Sequence, residues 1–166
     1  MNRVYWRYWV CCLCILSGCA SLPRQVTEAP PSVILVLADD LGWADISCQG
    51  SAWQTPAIDR LAAEGVRLTR AYSNGPNCAP SRACLMTGLD VAAHGVFTVA
   101  PAARGKAQNR QLVPPKTRRT LEDQQITMAE MLKTRGYRSA HIGKWHLGDD
   151  PSTQGFDVSI AGDRRG

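Results

Sequence analysis

Six consecutive apolar residues, Val33-Ile34-Leu35-Val36-Leu37-Ala38, stop abruptly at Asp39-Asp40. A run this short, uninterrupted and rich in β-branched side chains suits a strand buried on both faces, as in a parallel sheet covered by helices. Parallel strands need long crossovers, and the sequence supplies helix signals at the right places. Thr55-Pro56 offers an N-cap and a first-turn proline, Ile58, Leu61 and Ala62 share one face, and Gly65 suits a left-handed helix end before Val66 to Tyr72. Thr127-Met128-Ala129-Glu130 has the spacing of a capping box, Met128, Met131 and Leu132 form an apolar face, and Gly136 ends that helix. Tyr137 to Ile142 then predicts another strand. The expected fold is α/β, a mostly parallel sheet flanked by helices, with ligands beyond the carboxyl ends of the strands.

Composition narrows the function classes. A chain of 166 residues that is 45% apolar and 20% charged is neither a disordered tail, a collagen-like repeat nor a polytopic membrane protein. The net charge of +5 brings no basic stripe interleaved with aromatics, so a nucleic-acid partner is not expected. The excess charge concentrates between Pro101 and Thr120, where Arg104, Lys106, Arg110, Lys116, Arg118 and Arg119 meet no acidic residue. That stretch reads either as a solvated loop or as a positive rim that attracts an anionic substrate.

Four of the seven cysteines, at 11, 12, 14 and 19, fall in a segment with Arg3, Arg7 and the apolar run Val10 to Leu16. The run is too short for a permanent transmembrane helix and fits a signal peptide over residues 1–18. Leu16-Ser17-Gly18-Cys19 resembles the lipobox of bacterial lipoproteins, which implies cleavage before Cys19 and acylation of its thiol; an ordinary signal peptide ending in Cys is the alternative. Several acyl chains on one residue would anchor the chain stably to a membrane. Residues 19–31, with Pro23, Pro30 and Pro31, read as an extended spacer, and residues 32–166 as the folded part. Loss of Arg3 and Arg7 lowers the net charge from +5 to +3. The expected location is outside the cytoplasm, periplasmic or at the cell surface, on a bacterial membrane.

Chemistry concentrates at two further places. Adjacent carboxylates at a strand end can converge on a hard cation where the chain turns, although Asp39-Asp40 alone would equally serve as a solvated turn or helix cap. Asn77-Cys78-Ala79-Pro80-Ser81-Arg82 opens a helix that Ala83 to Met86 can continue, which puts Cys78 at its positive end. A nucleophile is stabilised there; a small packed thiol is the other reading.

Cys78-x-Pro80-Ser81-Arg82, followed by Leu85-x-Thr87-Gly88, is similar to the signature of the type I sulfatases, the formylglycine-dependent arylsulfatase family. Leu37 to Asp45 resembles that family's opening metal strand, Thr55 to Gly65 its first helix, and Gly143-Lys144-Trp145-His146-Leu147-Gly148 a third block, in the same order. The resemblance runs from about Pro31 to the end and implies an alkaline-phosphatase-like α/β fold. It further implies that Cys78 is oxidised to formylglycine (3-oxoalanine) by a formylglycine-generating or anaerobic maturation enzyme. Asp39, Asp40 and residue 78 would bind a divalent ion, Ca²⁺ or Mg²⁺. One hydroxyl of the hydrated aldehyde would attack sulfur, and the other would expel sulfate by collapse. Arg82, one helical turn on, would support the modified residue. Lys144 and His146, alternating in an extended segment, would both face the site, Lys144 neutralising sulfate oxygens and His146 assisting release of the ester.

The implied activity is hydrolysis of sulfate esters, of sulfated glycans or aryl sulfates. An inactive truncated or lipid-tethered remnant, and a phosphonate or phosphate ester hydrolase on the same scaffold, are the alternatives. The family's further metal pair, second His and second Lys are not among these residues, so the expectation is the N-terminal part of a catalytic domain, incomplete at its C-terminus. Leu89 follows Thr87-Gly88 where the family has Arg, a departure that bears on packing behind the nucleophile or on maturation. His94 is expected to be structural, His141 a core or lining histidine with one hydrogen-bond partner, and Cys48 and Cys84 packed thiols rather than a disulfide.

Overall fold

The computed structural model describes residues 29–163. The expected signal peptide, Cys19 and the spacer up to residue 28 lie outside the described residues. The described residues fall into two units, divided between Leu37 and Ala38. Apart from residues 29–37, everything below belongs to the second unit.

That unit contains helices α1 (Pro56–Glu64), α2 (Cys78–Thr87), α3 (Val91–His94) and α4 (Met128–Lys133), and strands β1 (Ala140–Ile142) and β2 (Val158–Ile160). Short 3₁₀ turns stand at Trp43–Asp45, Ser47–Gln49, Ala107–Asn109 and Pro151–Gln154. The two strands pair in parallel, His141 opposite Ser159, and the crossover between them carries Gly143 to Gly148. The architecture is α/β with a small parallel sheet. No helix among the described residues is long and apolar enough to cross a membrane.

The core is built around α2. Ala79, Ala83 and Met86 pack with Val96, Leu121, Trp145 and Leu147, and Val99, Met128 and Phe156 close its edge. Small residues at 79 and 83 let the helix backbone sink among these larger side chains. Helix α4 starts as its sequence predicts: Thr127 Oγ1 accepts from the Glu130 N–H (3.3 Å), and the Thr127 N–H donates to Glu130 Oε2 (2.8 Å). Thr127 is fully buried, and its hydroxyl also donates to the Gln154 carbonyl (2.8 Å), tying the helix start to the 3₁₀ turn before β2. Gly155 follows that turn at φ 90°, with the Glu130 N–H only 2.8 Å from where a Cβ would stand, so a side chain here would separate the two elements.

Several expected elements differ. Val33 to Leu37 is exposed and forms no ladder among the described residues. An apolar run of this kind encodes a requirement for neighbours on both edges and cover on both faces, and the two three-residue strands present pair with each other. Helix α1 spans the predicted residues, but Ile58 and Leu61 on its apolar face are exposed, and Thr55 does not cap it with its side chain. Thr55 instead joins Ser47 and Cys48 around the Asp59 carboxylate, which accepts the Cys48 N–H at 2.9 Å and the Thr55 hydroxyl at 3.1 Å. Gly65 ends the helix with φ −114°, extended rather than left-handed. Val66 to Tyr72 is irregular and exposed, and only Ala140–Ile142 of the expected Tyr137 to Ile142 strand forms a ladder.

Thr127→Ala removes the cap and leaves the Gln154 carbonyl without its buried donor. The expected loss is about 2 kcal/mol, read as a lower urea midpoint, with Thr127→Ser recovering most of it.

Candidate active site

Helix α2 delivers residue 78 from a rigid base. Its first turn is held from below by Ser81, whose hydroxyl donates to the Gly75 carbonyl (2.9 Å) and meets the Ser73 hydroxyl at 2.8 Å. Cys78, half-buried, opens the helix, and Arg82 one turn later is buried. Asp40 takes a positive φ of 57°, a conformation that Asp tolerates better than most residues. This turn ends the side-to-side alternation of an extended chain. One donor atom each from Asp39, Asp40 and Cys78 then lies within 4.8 Å of the others. The Cys78 Sγ stands 3.8 Å from Asp40 Oδ1.

Two cations hold Asp39. The Arg82 guanidinium donates to Oδ1 at 3.0 Å and the Lys144 ammonium to Oδ2 at 2.6 Å, while Arg82 also donates to the Lys144 carbonyl at 2.5 Å. Lys144 first and Arg82 second hold the Asp39 carboxyl below its ordinary value. The same hydrogen bond, opposed by burial, raises Lys144. Arg82 thus binds the Asp39 carboxylate and the Lys144 carbonyl, where the expectation had it supporting residue 78.

Lys144 and His146 do not lie in a regular extended segment. The chain leaves β1 through Gly143 at φ 92°, and His146 has φ 62°. Burial nevertheless alternates: Trp145 and Leu147 are each 1% exposed in the core, and Lys144 and His146 are half-buried on the site side. His146 lines a cavity beside Ala79. Among the described residues, buried side-chain atoms without a hydrogen-bond partner include Asn77 Oδ1, Arg82 Nε and His146 Nδ1, all next to the residue 78 locus. Groups left unpaired in this way are usually waiting for a ligand or water. Asn77 was not singled out by sequence reasoning; its place immediately before Cys78 was the available signal.

The donors fit part of a divalent cation's shell. Two carboxylates suit a hard ion, and a thiol at 78 does not, whereas an oxygen-bearing residue there would.

The remaining polar residues sit behind this locus. His94 is fully buried; its Nδ1 accepts the Val96 N–H (3.1 Å) and its Nε2 lies 3.2 Å from Cys84 Sγ. With Nδ1 accepting, the neutral ring carries its proton on Nε2, and Cys84 is the acceptor. Cys48 and Cys84 are free thiols. Leu89 is exposed, so it does not fill the core behind residue 78. His141 packs edge-on against Trp145 (5.1 Å) and Phe156 (5.3 Å), a core position as expected, and its buried Nδ1 has no hydrogen-bond partner among the described residues.

The sulfatase family model matches residues 31–164. The chain belongs to the sulfatase family. It is 37% identical over 150 residues to the dog (Canis lupus familiaris) N-acetylgalactosamine-6-sulfatase, covering 87% of this chain and 28% of that protein. To the mouse (Mus musculus) steryl-sulfatase it is 42% identical over 135 residues, 76% of this chain and 19% of that one. The crystal structure of Ps i-CgsB in complex with k-i-k-neocarrahexaose superposes with a TM-score of 0.60 at 34% identity, over 75% of this chain and 26% of that chain. The fold is accordingly the alkaline-phosphatase-like α/β fold of the sulfatases. The chain spans about a quarter of the length of the relatives it matches.

Burial lowers the pKa of His94, of His141 (with Arg82 second) and of His146 (with Lys144 and then Arg82 adding to it). Folded, these rings stay neutral below their ordinary 6.5 while the unfolded chain takes up protons, so stability falls as the pH drops through that value. The urea midpoint should therefore fall between about pH 7.5 and about pH 5.5. His141→Phe keeps the ring packing, removes one of these protons and should flatten the decline.

Proposed function

We propose that this chain provides the nucleophile, the first metal carboxylates and one wall of the sulfate site of a sulfuric ester hydrolase that acts on sulfated glycans. The convergence of Asp39, Asp40 and residue 78, with Asp39 gripped by Arg82 and Lys144, carries the reading. Asp39 and Asp40 would hold a divalent ion, Ca²⁺ or Mg²⁺, that polarises a sulfate oxygen. Formylglycine formed from Cys78 by a separate maturation enzyme would supply, as its hydrate, one hydroxyl to attack sulfur and a second whose loss of a proton releases sulfate. A thiol in a hard-oxygen cluster argues for such a conversion.

The chain's other residues prepare that chemistry. Arg82 fixes one carboxylate oxygen of Asp39 and the Lys144 carbonyl together, so α2 and the segment after β1 cannot drift apart without breaking a buried guanidinium's bonds. Lys144, already beside Asp39, places a positive charge where sulfate oxygens would lie. His146, kept neutral by burial, can take up a proton from a hydroxyl at residue 78 and return it. The glycan substrate is supported by the N-acetylgalactosamine-6-sulfatase relative and by the oligosaccharide named in the Ps i-CgsB complex. Export and attachment to a bacterial membrane through acylated Cys19 rest on the lipobox-like Leu16 to Cys19.

The full-length, matured protein decides the matter. It should turn over an aryl sulfate faster than the matching phosphonate ester, lose that activity on chelation and regain it with Ca²⁺ or Mg²⁺. Asp40→Asn, which leaves the Asp39 ion pairs in place, should lower kcat/KM at least about 100-fold. Cys78→Ser can form the sulfate ester but has no second hydroxyl to expel it, so it should release a single burst of phenol and then stop. Sustained turnover by Cys78→Ser, or an unconverted thiol at residue 78 in active enzyme, would refute the mechanism.

A further inference from the structure

The site has a second pole of positive charge that hydrolysis at residue 78 does not use. A cavity of about 60 Å³ opens beside His146 and is also lined by Ala79, Thr98, Ala100, Arg118 and Arg119. One water needs roughly 10–15 Å³, so the space can receive a group of a few heavy atoms such as a carboxylate or a sulfate. It shares His146 with the candidate active site but none of Asp39, Asp40, Cys78, Arg82 or Lys144.

The backbone that carries both arginines is fixed at each end. Thr117 Oγ1 accepts the N–H groups of Phe97 (3.0 Å) and Thr98 (3.2 Å), the Arg118 N–H donates to the Gly95 carbonyl (3.0 Å), and the Leu121 N–H donates to the Leu147 carbonyl (3.1 Å). Leu121 is buried in the core. The segment is therefore a strap strung between the end of α3 and the segment that carries His146. Its cations are not equivalent. Arg118 is engaged by Glu122 at 2.9 Å, and Arg110, further back in the basic stretch, spends its guanidinium on the carbonyls of Arg104 and Gly105. Arg119 makes no hydrogen bond or ion pair among the described residues. A planar fork with its donors unused, mounted on an anchored backbone at the rim of an oxyanion-sized cavity, is suited to two-point capture of a carboxylate or sulfate.

We infer that Arg119 is a specificity-determining residue, which receives a second anionic group of the substrate beside the ester that is cleaved. The inference rests on the sulfatase reading above and narrows its substrates to sulfated glycans with two neighbouring anionic groups. The second group is a carboxylate, as on a uronic acid, or another sulfate.

The test uses the full-length, matured protein and three substrates: 4-nitrophenyl sulfate with one anion, a sulfated disaccharide with a uronic acid, and a disulfated disaccharide without one. Arg119→Gln should lower kcat/KM on the favoured disaccharide by about 10- to 100-fold, through KM, and leave 4-nitrophenyl sulfate within about twofold. Arg119→Lys should recover only part of the loss, because an ammonium cannot pair through two parallel bonds. Whichever disaccharide responds names the second anion. Equal losses on all three substrates, or no loss on either disaccharide, would overturn the inference. Calorimetry with the two disaccharide products, each keeping its second anion, gives a readout that does not need turnover. Tighter binding to the wild type than to Arg119→Gln supports the subsite even if no sulfate is released, in which case the hydrolase reading alone fails; equal binding of both products rejects the subsite.

Discussion

Asp39 lies between two cations, and the rest of the site depends on that arrangement. Arg82 is buried on α2, and burying a guanidinium is costly unless its charge is paired and most of its donors find acceptors. Asp39 and the Lys144 carbonyl satisfy two of them, which joins residues separated by 43 and 62 positions in sequence. Lys144 closes the triangle from its own side. The formal charges of Asp39, Asp40, Arg82 and Lys144 cancel. A divalent ion added to this neutral frame leaves a net positive site, which is what a sulfate ester needs and what Asp39 and Asp40, without their two cations, would not provide.

The same helix that brings Arg82 also organises the core, and this explains why residue 78 can be held accurately. Small residues on α2 let it pack closely against Trp145, Leu147 and Leu121, so the helix is a fixed axis rather than a surface element. A nucleophile at the end of such a helix inherits its position from the core. The strap with Arg118 and Arg119 is fastened to the same parts, through Leu121 to Leu147 and through Arg118 to Gly95, so the locus around residue 78 and the neighbouring cavity share one support.

Features that depend on a few adjacent residues were legible in the sequence. The capping box at Thr127 and Glu130, the start of α2 at Cys78 with Pro80 in its first turn, and the span of α1 all follow from local preferences. Features that depend on distant partners were not. Val33 to Leu37 has the composition of a buried strand, but composition expresses a need for neighbours and cannot supply them, and the run is exposed. Gly65 permits a left-handed end without requiring one, and it is extended. The convergence of Asp39, Asp40 and Cys78 came from family resemblance, since no local rule joins residues 38 positions apart. Within the basic stretch, the sequence is compatible with a solvated loop or with a positive rim for an anionic substrate; Thr117, the Arg118 N–H and the Leu121 N–H anchor the backbone so that Arg118 and Arg119 both line the cavity, Arg118 already paired with Glu122.

The segment Gly143 to Gly148 shows how one short pattern meets two demands at once. Its backbone is not a strand, because Gly143 and His146 both have positive φ, yet its burial alternates residue by residue. Trp145 and Leu147 fill the space behind α2 while Lys144 and His146 face the site, so the apolar pair fixes where the polar pair can be. An exposed lysine–aspartate bond alone would contribute little and would be lost to solvent competition. Here the two buried neighbours on either side of His146 restrict the backbone first, so Lys144 gives up less freedom in reaching Asp39. The ion pair is a consequence of the packing, and a core substitution at Trp145 or Leu147 would disturb the site as directly as a change in Lys144 itself.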